Sequence, residues 1–125
     1  MVMGKIILDT NFIISCVKNK IDLFDELKLM GFQIIIPTKI ISELKKVVAS
    51  KQKAYNREAA ELALKILQKN SYEEIDLGLS HADKSIIKFA KEYPKAVIAT
   101  LDKELKDKIS NNKLVIRGKK KLEII

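Results

Sequence analysis

Cysteine and histidine each occur once in this 125-residue chain, as Cys16 and His81, and tryptophan is absent. A single cysteine excludes an internal disulfide and a cysteine-based zinc ribbon. A single histidine excludes general acid–base catalysis by a histidine pair. Cys16 lies within Phe12-Ile13-Ile14-Ser15-Cys16-Val17, an apolar setting in which a free thiol packs as a small hydrophobe. His81 is expected mainly as a partly exposed residue at a helix start. No apolar run approaches the roughly 18 residues of a membrane span. Met1 to Leu8 is too short for a signal peptide, and Asp9 interrupts it. A cytoplasmic protein with no membrane partner is therefore expected.

What is present is charge and aliphatic bulk. Hydrophobic residues make up 47% and charged residues 32%, a soluble globular balance. Domains typically run to about 100–150 residues, so residues 1–125 are expected to form one domain. Lys and Arg number 24 against 16 Asp and Glu, a net charge of +8. That surplus favours a polyanionic partner. A Lys/Glu-rich surface of the hyperthermophile kind fits it equally well.

Apolar runs alternate with helical patterns, which predicts an α/β fold with a mostly parallel sheet. Lys5 to Leu8 and Gln33 to Ile36, stopped by Pro37, are continuous apolar strands suited to burial. Glu73 to Leu77 alternates, as an edge strand does. Ala96 to Thr100 reads as a central strand, and Leu114 to Ile116 closes the sheet, with Leu122 to Ile125 as a further candidate. Helices are expected from near Asn11, across Ile40 to Val48, across Ala60 to Leu67, and around Ile86 to Ala90 before Pro94. A short last helix is marked by Leu101, Leu105 and Ile109. Neither an internal repeat nor a low-complexity linker is present. Arg117-Gly118-Lys119-Lys120-Lys121 reads as a turn or the start of a strand, because apolar residues follow it.

Four acids stand out against this pattern. Asp9 ends the first apolar strand and Asp102 follows the fourth, at the sheet edge where open α/β folds bind ligands; each is equally suited to cap the next helix. Glu43 sits three residues after Ile40 and four before Val47, on the apolar stripe of its helix. A carboxylate there is costly unless paired, protonated or metal-bound. A lysine ion pair, or a favourable first-turn position near Pro37 and Thr38, would also account for it. Asp83 shares a helix face with Ile86, Ile87 and Ala90, and Ser80-His81-Ala82-Asp83 reads as a capping box with Ser80 as N-cap. Strand ends and the following helix starts share one edge of a right-handed α/β layout, so all four acids could line one pocket. Mutual repulsion there calls for a cation, and oxygen ligation favours Mg²⁺ or Mn²⁺.

In order and spacing, Leu8-Asp9-Thr10-Asn11, Ile41-Ser42-Glu43-Leu44, His81-Ala82-Asp83 and Ala99-Thr100-Leu101-Asp102 resemble the PIN-domain family over nearly the whole chain. That resemblance implies a three-layer α/β/α fold around four or five parallel strands. It further implies a Mg²⁺ or Mn²⁺ site on Asp9, Glu43, Asp83 and Asp102, with Thr10, Asn11 and Thr100 as polar support, and hydrolysis of RNA phosphodiesters, often by a homodimer. Two roles occur in the family: toxin nucleases of the VapC type, silenced by a small antitoxin, and endonucleases of ribosomal RNA processing, whose branch Val115 to Leu122 resembles. Candidate phosphate contacts are Lys45, Lys46, Lys51, Lys53 and Arg57, and, towards the C-terminus, Lys103, Lys106, Arg117, Lys119, Lys120 and Lys121. A non-catalytic module binding RNA or protein is the alternative. A response-regulator receiver is disfavoured, because Asp9 stands alone after its strand.

Overall fold

The apolar runs centred on Ile6 and Ile35 lie side by side inside a single sheet. The computed structural model describes residues 4–79 and 81–125. Its strands are β1 (Gly4–Leu8), β2 (Phe32–Pro37), β3 (Glu73–Ile75), β4 (Val97–Ala99), β5 (Lys113–Arg117) and β6 (Lys121–Ile124). Their order is β3-β2-β1-β4-β5-β6. Five strands run parallel, and β6 returns antiparallel to β5. The expected parallel sheet thus carries an antiparallel sixth strand, joined through a turn at Gly118, whose φ of 60° suits glycine. This order departs from the 2-1-3-4-5 arrangement of receiver domains.

The helices are α1 (Thr10–Lys18), α2 (Leu23–Leu29), α3 (Thr38–Val48), α4 (Ala54–Gln68), α5 (Ala82–Glu92) and α6 (Lys103–Asp107). Strand order proceeds outward from β1 to β3 and then reverses through β4 to β5. Right-handed crossovers therefore place α1 to α4 on one face and α5 and α6 on the other. In accord with this, α1, α3 and α4 pack on one another, while α5 lies against β2 and β4. Ile6, Ile7, Leu8, Ile35, Ile36 and Ile98 are fully buried between the layers.

Three expectations needed adjustment. Helix α2 has only seven residues, too few for periodicity to register, although Leu23, Phe24 and Leu27 bury one side of it. The last helix begins at Lys103, and Leu101 is left exposed before it. At α5 the N-cap position falls on His81, whose side chain makes no cap bond; the proposed cap Ser80 lies outside the described residues.

Candidate active site

β1 and β4 are neighbours at the point where the strand order reverses, and in open α/β sheets the crevice beyond the carboxyl ends at such a point is the ligand site. Asp9 and Thr100 stand there, each one residue past its strand. The Asp9 amide donates to the Ala99 carbonyl at 3.0 Å, extending the ladder into the site. Asp9 Oδ1 accepts from the Thr10 amide at 2.8 Å, which caps α1, and Oδ2 accepts from the Thr100 hydroxyl at 2.7 Å. The Thr100 oxygen in turn accepts from the Asp102 amide at 3.1 Å. Asp102 Oδ1 caps α6 through the amides of Glu104 (2.9 Å) and Leu105 (3.3 Å). The capping roles anticipated for Asp9 and Asp102 are thus real.

Glu43 joins through the other buried threonine: the Thr10 hydroxyl donates to Glu43 Oε2 at 2.7 Å. Its half-buried side chain is held by this hydroxyl rather than by a lysine. It lies in the second turn of α3, past the amides that a first-turn acid would favour. A continuous chain of bonds therefore runs Glu43–Thr10–Asp9–Thr100–Asp102. Each threonine has one hydroxyl proton and spends it on a carboxylate, so the network holds its acids as acceptors. Burial pushes the Asp9 carboxyl above its ordinary value of 3.8; bonds from Thr100 and Thr10 oppose this, and the charges of Glu43 and Asp102 add to it. Among the described residues no lysine, arginine or histidine forms an ion pair with the group. The ion pairs among the described residues are Glu61–Lys65 and Arg117–Glu123, and neither includes one of these acids.

Asp83 is exposed in the first turn of α5. Because α5 follows β3, its N-terminus opens at the same sheet edge, but Asp83 stands outside the bonded network of the other three acids. Among the described residues no three His, Cys, Asp or Glu side chains form a ready-made metal cage. The donor set nevertheless suits a hard cation: it is all oxygen, and Mg²⁺ commonly uses one or two carboxylates while keeping water and substrate oxygens as its other ligands. Cys16 is buried, and burial with the nearby charge of Glu26 pushes its thiol up to about 12, which removes thiolate chemistry.

Beside the acids lies a groove of about 500 Å³ lined in part by Asn11, Ser15, Lys18, Gln52, Asn56 and Asp102. Asn11 contributes to this wall rather than to the acid network. Ser15, Lys18, Gln52 and Asn56 were not anticipated. The signal was there for two of them: Asn11, Ser15 and Lys18 recur at four- and three-residue spacing, a polar stripe on an otherwise apolar helix.

Residues 6–120 match the family described as PIN-like domain. Ribonuclease VapC4 of Methanocaldococcus jannaschii is 36% identical over 129 aligned positions, covering 98% of this chain and 97% of that protein. The solved structure of the PIN domain endonuclease Utp24 superposes with a TM-score of 0.77 at 26% identity, over 96% of this chain and 90% of that one. The VapBC2 complex of Rickettsia felis, solved with a DNA fragment from its promoter, has a chain matching at a TM-score of 0.53 and 17% identity, over 87% of this chain and 98% of that one, a likeness of fold alone.

Proposed function

The chain belongs to the PIN-like domain family, and we propose that it is a divalent-metal-dependent endoribonuclease acting at Asp9, Glu43, Asp83 and Asp102. The observation that carries this reading is the threonine-linked chain of carboxylates at the sheet's reversal point, one of them half-buried and repelled by its neighbours, with no ion pair to it among the described residues. Folds tolerate such frustration at functional sites. The names of a ribonuclease and an endonuclease among its relatives support the substrate class.

Asp9, Glu43 and Asp102, with Asp83 from α5, would hold Mg²⁺ or Mn²⁺. When bound, such an ion lowers the pKa of its water and offsets charge on the scissile phosphate. The chain's own contribution is orientation. The Thr10 hydroxyl fixes one oxygen of Glu43, the Thr10 amide and the Thr100 hydroxyl fix both oxygens of Asp9, and the α6 cap fixes one of Asp102, so these side chains have few rotamers to lose when a ligand arrives.

Cleavage of RNA in Mn²⁺ or Mg²⁺ is expected for the wild type, with losses of roughly 10²-fold or more in Asp9→Asn and Asp102→Asn, on the scale of removing one electrostatic stabiliser. A wild type that binds RNA yet cleaves none across metals and substrates would establish the binding-only alternative. Two cellular settings follow from the family resemblance of the sequence: a cytoplasmic toxin silenced by a small antitoxin and acting as a homodimer, and maturation of ribosomal RNA. Growth arrest on expression, relieved by a neighbouring gene product, marks the first; accumulation of unprocessed ribosomal RNA on deletion marks the second.

A further inference from the structure

The carboxyl edge of the sheet is unequal in charge and in height on its two sides. On the β3 side stand exposed Glu73, Glu74 and Asp76. On the other side stands the β5–β6 turn, with exposed Lys119, Lys120 and Lys121. Arg117 is neutralised by Glu123 at 2.7 Å, whereas none of the three lysines has an acidic partner among the described residues.

Strand register gives the height. Leu8 is level with Ala99, and Ala99 with Leu114. β1 and β4 end at that level, and Asp9 and Thr100 follow at once. β5 continues through Val115, Ile116 and Arg117, about 10 Å further at the rise of a strand, before the turn begins. Two strand spacings, again about 10 Å, separate β1 from β5. The hairpin is therefore a ridge that overtops the acid site from one side, and its crest is cationic.

We infer that this hairpin is the rail for the nucleic-acid backbone: an RNA strand crosses the acid site towards β6, with Lys119, Lys120 and Lys121 holding phosphates a few nucleotides from the scissile bond. This rests on the RNA reading of the site. The acidic β3 side repels the same strand, so the asymmetry fixes on which side the substrate runs. Lysines at a turn contact phosphates without reading bases, so the rail supplies affinity and direction rather than sequence choice.

The test measures binding of a short labelled single-stranded RNA by anisotropy, in EDTA to prevent cleavage, as a function of salt. Each phosphate contact on a single strand contributes about 0.7 to the slope of log affinity against log salt. K119Q/K120Q/K121Q is expected to lower that slope by about 2 relative to wild type, and K119Q/K120Q, confined to the turn, by about 1.4. K91Q/K95Q/K108Q removes as much charge at the opposite sheet edge and is expected to leave the slope unchanged. An unchanged slope in both hairpin variants, an equal loss in the opposite-edge variant, or a wild type that binds no RNA overturns the rail. A slope that falls only in the hairpin variants while the wild type cleaves nothing supports the rail and overturns the nuclease reading instead.

Discussion

Asp9 carries two demands on one carboxylate. It caps α1 and accepts from Thr100, both of which favour the ionised form, yet burial and the charges of Glu43 and Asp102 disfavour it, and burial dominates. The folded state thus holds the Asp9 proton more tightly than the unfolded chain does. By linkage, the stability this contributes is fully present below the ordinary value of 3.8 and is lost as pH rises through the raised folded value. Asn caps a helix about as well as Asp, so Asp9→Asn removes the titration while keeping the cap. Thermal melts of the two proteins are expected to diverge in favour of Asp9→Asn as pH rises through that window, and to run parallel above it. A constant difference across the window would sink the idea. In the sequence Asp9 and Glu43 stand out because each interrupts an apolar pattern. What bonds to them was not legible there: Thr10 meets Glu43 across 33 positions and Thr100 meets Asp9 across 91, contacts that exist only once the strand order is set.

At the scale of elements, continuous Ile-rich runs announced β1, β2 and β4, since buried parallel strands need apolar residues on both faces. Helix α2 stayed hidden in its seven residues, and the direction of β6 depended on a short turn that no periodicity encodes. The joint between α5 and β5 shows how an apparently ordinary polar residue can fix an element boundary. Pro94 has no amide proton, so the Ala90 carbonyl four residues earlier lacks its helical donor. Buried Asn111, in the turn before β5, supplies one: its Nδ2 lies 3.2 Å from the Ala90 carbonyl, 2.9 Å from that of Tyr93 and 3.0 Å from that of Ala96. Removing a donor and leaving a buried acceptor unmet costs about 1–3 kcal/mol. Asn111→Ala is expected to lose about that much, read as a lower urea midpoint with an unchanged slope. A changed slope would mean that the unfolded state or the compactness of the fold had altered instead.

For the whole molecule, a chain of net charge +8 carries a crevice that gathers carboxylates, so the overall charge favours a polyanion that the site itself repels. On the proposed reading a divalent cation would reconcile the two, and its binding should be visible without any substrate. A ligand that binds only the folded chain adds about 2.7 kcal/mol at one hundred times its dissociation constant. That amount corresponds to a rise in Tm on the order of ten degrees for a domain of this size. Titrating Mn²⁺ or Ca²⁺ into the wild type is therefore expected to raise Tm progressively. The rise should vanish in Asp9→Asn and shrink in Glu43→Gln, because the threonine network couples these side chains. Asp83 stands exposed and apart from that network, so Asp83→Asn should leave most of the rise intact while still reducing cleavage, its ligating part coming with RNA. Equal Tm shifts in wild type and Asp9→Asn would show that the ions act elsewhere. A complete loss in Asp83→Asn would show that α5 closes on the site before substrate arrives.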